Sequence, residues 1–291
     1  MTTPTPAPKS TPTPTPAPTP APTPILHTPI LHTLTPNGVS WITLNRPEVL
    51  NAITAEQRDH LITLLEEATT TPTIRAVVLT ATGKGFCTGA DLRGPTTPPP
   101  DTERTAGDIS RTLRQGAQRL ITAILDCEKP VLAAVNGTAA GLGAHLALAC
   151  DLVLAAESAR FIEIFVRRGL VPDGAGAYLL PRLIGPQRTK ELMFFGDALP
   201  AAEAERLGLV NRVVPDADLP KTAQAWADRL ATSPTRALAL TKQLVNASLD
   251  TDRTAALAAE AAAQEINMAS ADAKEGVAAF VERRGAVYRG R

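Results

Sequence analysis

The chain has 291 residues, with 29 Lys plus Arg balanced by 29 Asp plus Glu, so it lacks the basic footprint of a nucleic-acid binder. No apolar run reaches the roughly 18 residues that a membrane span needs. Cys87, Cys127 and Cys150 are odd in number and have no metal-ligand spacing, so neither a disulfide framework nor a metal site is expected, and a reducing, cytoplasmic setting is.

Residues 1–27 alternate Thr and Pro with some Ala. Proline fixes φ and removes a donor, and there is too little apolar surface to offset ordering, so this stretch reads as a disordered, polyproline-like tail. It lacks the apolar region of a signal peptide, although Thr/Pro runs also occur as glycosylated stalks. Residues 28–215 read as one core and 216–291 as a helical region.

Val39–Leu44 predicts a strand. Thr54 and Gln57 form a capping box that opens a helix through Leu61, Leu64 and Leu65. Ala76–Leu79 predicts a buried strand that runs into a loop of Gly and small residues, Thr80–Leu92. Gly94 to Asp101 is a Pro/Thr-rich loop, and a helix then leads to Asp126. Lys129–Val135 predicts a second buried strand, closed by Asn136-Gly137, then a small-residue turn, then a helix from Leu142 through Cys150. Leu152–Ala155 predicts another strand. Beyond Gly174, helices around Leu179, Leu192, Ala204, Trp226, Leu240, Leu257 and Val277 are interrupted by one short strand, Leu209–Val214. Strands alternating with helices argue for an α/β core.

Two loops carry the chemistry. Both follow a buried strand, and both are built from residues whose lack of side chain lets a ligand approach the backbone. Two such loops can aim two N–H groups at one oxygen that becomes anionic during a reaction. Gly141-x-Gly143 partly fits a dinucleotide fingerprint, but Leu146 stands at its third glycine position. No Gly-x-Ser-x-Gly element marks an α/β-hydrolase.

Several segments in this order, Leu44–Ala52, Gly89–Leu92, Lys129–His145, Cys150–Leu152, Gly169–Gly174, Ala204–Val210 and Glu275–Phe280, resemble the crotonase, or enoyl-CoA hydratase/isomerase, family. The resemblance implies a spiral of ββα units with a C-terminal helical region used for trimer contacts, giving a homotrimer or homohexamer. It implies an acyl-CoA substrate, with coenzyme A part of the thioester and no separate cofactor. The backbone N–H groups of Ala90 and Leu142 would form an oxyanion hole; the family has glycine where Leu142 stands, so the Leu side chain must point away.

In the family's hydratases, glutamates stand at the positions of His145 and Phe165, so two-glutamate hydration is in doubt. His145 is either a pocket histidine or a general acid or base. Asp173 is either a catalytic acid, as in several isomerases, or a helix N-cap. Glu163 is a pocket acid or a salt-bridged residue. Phe86, Phe161, Phe165 and Gly141 would line the acyl pocket, and Phe280, Arg283 and Arg284 would reach the CoA of a neighbouring subunit. Arg167 and Arg168 are surface charge or CoA phosphate contacts, and Cys87 is a nucleophile only if it has a partner base. Isomerase-like enolate chemistry is therefore expected ahead of hydration, with a non-catalytic CoA-binding scaffold as the reading from another class.

Overall fold

The computed structural model describes residues 28–93 and 105–291. The expected tail and the whole of the Pro/Thr-rich loop, Gly94 to Asp101, lie outside the described residues. Strand β1 (Ile30–Leu34) pairs antiparallel with β2 (Val39–Leu44). Thr54 then caps α1 (Ala55–Thr70), with both reciprocal bonds of the predicted capping box formed. Next come β3 (Ala76–Ala81), β4 (Gly85–Cys87), α2 (Asp108–Leu113) and α3 (Arg119–Leu125). β5 (Val131–Val135), β6 (Thr138–Ala140) and α4 (Leu142–Leu148) follow. β7 (Leu152–Ala156) and β8 (Arg160–Ile162) lead through a 3-10 turn at Ile164–Arg168 into α5 (Gly176–Ile184) and α6 (Pro186–Phe195). The chain continues through β9 (Ala198–Pro200), α7 (Ala201–Leu207) and β10 (Arg212–Val214). It ends in α8 (Leu219–Ala231), α9 (Thr235–Ser248), α10 (Arg253–Met268) and α11 (Ala271–Glu282).

A long sheet has the order β1-β2-β3-β5-β7-β10, and a short one β4-β6-β8-β9. Among the described strands, only the edge pairs β1/β2 and β8/β9 are antiparallel. The parallel strands β3 and β5 are buried over nearly their whole length, which accounts for their continuous apolar runs. The repeat is visible in this order. β3-β4, β5-β6 and β7-β8 each lay one strand in the long sheet and the next in the short sheet, and a helix follows each pair. The small-residue turn expected between β5 and α4 therefore contains a strand, β6, whose three residues are too few to show a period.

Every residue of α4 is buried, so its Gly and Ala content serves close packing. A Cβ on Gly143 would stand 2.1 Å from the Cys87 carbonyl oxygen, and one on Gly137 would stand 2.0 Å from that of Lys84. The second strand-loop-helix unit thus nests against the first at backbone contact. α4 stops at Leu148 with Ala149 as its C-cap, short of the expected Cys150. The core also continues past residue 215: Leu219, Ala223, Ala227 and Ala231 of α8 belong to the main apolar cluster, and α8 packs on β2, β3, β5 and β7. Helix α10, by contrast, buries no residue. No helix among the described residues is long and apolar enough to cross a membrane.

Candidate active site

The first glycine loop is held from Leu44–Ala52. Asn51, itself at φ 56°, is buried. Its Nδ2 donates to Thr82 O at 2.9 Å and Gly85 O at 2.8 Å, and its Oδ1 accepts from the Arg46 N–H at 2.7 Å. The Arg46 guanidinium donates to Ala52 O, Gln57 Oε1 and, at 3.0 Å, Asp91 Oδ2. Hydrogen bonds from Arg93, with Arg46 beside it, hold the Asp91 carboxyl well below the usual carboxylate range. Between these anchors, the Ile53 N–H donates to Gly89 O at 2.8 Å and the Asp91 N–H to Ile53 O at 2.9 Å. In such a bridge the flanking residues face the partner strand, so the N–H of Ala90 is turned the other way, on an exposed residue.

The second loop comes to the same place. Gly141 has φ 52° and ψ −125°, a conformation that disfavours any side chain. A Cβ there would also meet Ile164 at 3.3 Å and the Phe165 ring at 3.5 Å. Leu142 is the first residue of α4, where an N–H has no intrahelical acceptor. A Cβ on Gly89 would stand 3.1 Å from Ala140 O and 3.5 Å from Leu142 N. The residue before Ala90 and the amide of Leu142 are therefore neighbours. The Leu142 side chain runs off toward Gly174, where a Cβ would meet its Cδ1 at 2.7 Å.

Behind this junction lies a buried polar pair. His145 is 0 % exposed and Glu163 is 4 % exposed. The His145 Nε2 stands 3.0 Å from Glu163 Oε2 and 3.1 Å from Oε1. The imidazole stacks on Phe165, with centroids 5.5 Å apart and planes 12° apart. Gly176 closes the ring's other side: a Cβ there would stand 2.1 Å from Nε2. Nδ1 is buried and has no hydrogen-bond partner among the described residues, and Gly174 is the glycine on its side, 3.5 Å from where a Cβ would be. Asp173 precedes that glycine and is half-buried. Burial pushes its carboxyl above the ordinary aspartate value, and the nearby His145 opposes the shift.

Asp173 is not a side-chain cap. Helix α5 has Ala175 at its N-cap, at φ 64°, and no side chain bonds to that end. Sequence spacing put Glu163 two residues out of register with the family's glutamate, which hid its partnership with His145. The turn at Ile164–Arg168 supplies what the spacing lacked, because it follows Glu163 directly and brings Phe165 against the same ring.

The remaining candidates fall elsewhere. Phe86 and Phe161 are buried in the main core. Cys87 is buried in β4, and burial pushes its thiol up to about 12, which removes the thiolate a nucleophile needs. Arg167 pairs with Asp197. Phe280 is 85 % exposed on α11, and Arg283, at φ 58°, caps that helix. Arg284 is engaged by Glu275 and Glu282. Two cavities of about 460 and 490 Å³ flank Lys242 on α9, lined by Leu125, Tyr178 and Asn246 among others, and include none of Ala90, His145 or Asp173.

Two strand-loop units thus bring Gly89 and the Leu142 amide together, beside the buried His145–Glu163 pair. Residues 35–291 match the family described as enoyl-CoA hydratase/isomerase. A Rhodobacter capsulatus protein named "Probable enoyl-CoA hydratase" is 42% identical over 254 residues, 87% of this chain and 95% of that one. The 1,2-epoxyphenylacetyl-CoA isomerase of Escherichia coli K12 is 40% identical over 258 residues, 87% of this chain and 96% of that one. Among solved structures, an enoyl-CoA hydratase/isomerase from Cupriavidus metallidurans CH34 superposes with a TM-score of 0.82 at 36% identity, over 90% of this chain and 97% of that one. The chain belongs to the enoyl-CoA hydratase/isomerase family, the crotonase superfamily, and is an enzyme of that acyl-CoA-utilising kind.

Proposed function

We propose that this enzyme binds an acyl-CoA thioester with its carbonyl oxygen between the N–H groups of Ala90 and Leu142, and moves a proton with Asp173. The observation that carries this reading is the approach of Gly89 to the Leu142 nitrogen, with the Ala90 N–H left out of the loop's own pairing. Polarising the carbonyl acidifies C2. The Asp173 carboxylate takes a C2 proton from a 3-enoyl-CoA, and the C–H electron pair passes to the thioester oxygen as a dienolate. The proton returns at C4, giving the 2-enoyl isomer. Burial of Asp173 favours its neutral form and so makes its carboxylate a stronger base than an exposed one.

Isomerase-type enolate chemistry is favoured over hydration. Hydration in the family's manner needs two carboxylates about a water, and here one position is Phe165 and the other a histidine already bonded to Glu163. The hydratase reading, with His145 activating water, draws on the relatives that carry that name. Coenzyme A would enter only as part of the substrate. The unburied face of α10 and the exposure of Phe280 support assembly as a homotrimer or hexamer in which Phe280 and Arg283 approach a neighbour's CoA. Light scattering at micromolar concentration tests the assembly; a monomer overturns it.

Incubation of 3-enoyl- and 2-enoyl-CoA in deuterium oxide tests the chemistry. Deuterium at C2 or C4 without water addition, lost in Asp173→Asn, is the expected result. Rapid formation of 3-hydroxyacyl-CoA, abolished in His145→Ala but kept in Asp173→Asn, restores the hydratase reading.

A further inference from the structure

We infer that Glu163 is a positioning residue. It locks His145 as the tautomer protonated at Nε2, so that the Nδ1 lone pair faces the Asp173-Gly174 segment as a buried hydrogen-bond acceptor for the base. This rests on Asp173 as the base, the reading proposed above.

His145 is 0 % exposed, with Gly174 and Gly176 close against its ring, and stacked on Phe165. In this arrangement it does not meet a substrate directly, so whatever it does passes through a neighbour. On one side, Nε2 lies within 3.1 Å of both Glu163 oxygens. An ionised carboxylate only accepts hydrogen bonds, so the proton of a neutral imidazole sits on Nε2. On the other side, Nδ1 is fully buried without a partner among the described residues. A proton there would leave a buried donor unpaired, the costlier of the two possibilities. Both sides select the same tautomer.

The arrangement therefore runs from the Asp173-Gly174 segment to Nδ1, and from Nε2 to Glu163. When Asp173 takes the C2 proton, the C–H electron pair stays on the substrate as the enolate. The neutral carboxyl group so formed can then donate a hydrogen bond toward the Nδ1 lone pair, which is unpartnered among the described residues of the resting protein. Nε2 keeps its proton, directed at Glu163, and the carboxyl group returns the substrate proton to carbon. The two residue types that replace the family's glutamates thus form one stacked unit, and Glu163 gives that unit its direction.

The test uses the full chain with ¹⁵N only in histidine. Long-range ¹⁵N–¹H correlation distinguishes a protonated from an unprotonated ring nitrogen, and loss of one of the four histidine patterns in His145→Asn assigns the signal. The expected wild-type result is a proton on Nε2 and none on Nδ1. Glu163→Gln keeps size and shape but offers a donor as readily as an acceptor. It should bring in the second tautomer and lower kcat about tenfold or more, as loss of a supporting partner typically does, with KM unchanged. A wild-type His145 protonated on Nδ1, alone or as the imidazolium, overturns the inference, and so does an E163Q enzyme with an unaltered tautomer or unaltered kcat. The wild-type tautomer is read without E163Q, so misfolding of that variant cannot mask the answer. A wild-type enzyme that exchanges no substrate proton overturns the enolate reading instead, while the wild-type and E163Q spectra still decide what Glu163 does to His145.

Discussion

Arg46 and Asp91 join two stretches of chain 45 residues apart through a 3.0 Å ion pair, and the residue directly before Asp91 is Ala90. The same guanidinium reaches Ala52 O and Gln57 Oε1, so one side chain ties the loop, the helix start and the turn at Asn51 together. Arg46→Ala leaves those acceptors short of a donor. We expect a loss of about 1–3 kcal/mol in denaturant unfolding, the usual scale for hydrogen bonds to charged groups, and a fall in turnover larger than the change in KM. Equal turnover in a destabilised variant would separate the clamp from the placement of Ala90.

Ala90→Pro removes the N–H proposed to face the thioester oxygen. An oxyanion donor of this kind is worth roughly 10²–10³ in kcat. Circular dichroism first establishes that the variant is folded; unchanged turnover in a folded A90P enzyme sinks the oxyanion assignment.

Asp173 links activity to stability with opposite signs. Its folded-state carboxyl sits above the ordinary aspartate value because of burial. The basic form therefore accumulates as pH rises through that elevated value, and the acid limb of kcat/KM should lie higher than an exposed aspartate gives. A raised carboxyl contributes stability that is present below the unfolded-state value and lost as pH rises through the folded-state one. At neutral pH the ionised group is thus a burden, so Asp173→Asn should raise the melting temperature while abolishing proton exchange. An unchanged or lower melting temperature at pH 7, with the gain absent, contradicts the sign.

Gly143 and Gly208 make a matched pair. Adding a Cβ at Gly143 meets a backbone oxygen at 2.1 Å, whereas Gly208, at φ +86°, has nothing within 4 Å. Gly208→Ala should cost only the αL strain, about 1 kcal/mol. Gly143→Ala must part α4 from β4, with a cost of about 1–3 kcal/mol or more, and should also depress turnover because Leu142 moves with the helix. Equal unfolding midpoints for the two variants would mean the helix and strand are not in the close contact described.

Much of the core was legible because its signals are local. The capping box at Thr54 and Gln57, the apolar runs of β3, β5 and β7, and the helices beyond Gly174 each announce themselves within a few residues. The short sheet does not: β4, β6, β8 and β9 have three residues each, and Thr138–Ala140 reads as turn because its composition is that of a turn. In the candidate site, both glycine loops, His145 and Asp173 were visible as positions. The bond from His145 to Glu163 was not, since it joins residues 18 apart across the end of α4 and two strands, β7 and β8. The N-cap role considered for Asp173 also required knowing that α5 begins at Gly176 behind an αL alanine.

The backbone contacts at Gly137 and Gly143 have a consequence for how chemistry can vary on this scaffold. The amides proposed to face the carbonyl oxygen are main chain, fixed where no side chain fits, so they are indifferent to the identity of residues such as Leu142. The groups proposed to move or steer the proton are side chains on α4, on the approach to the 3-10 turn and on the segment before α5. Substitution at 145, 163, 165 or 173 can therefore redirect a proton while the carbonyl stays activated. Under that proposal the reaction would be set by a handful of interchangeable side chains around a constant electrophile-binding junction, and a sequence could keep the backbone signature without a glutamate at 145 or 165.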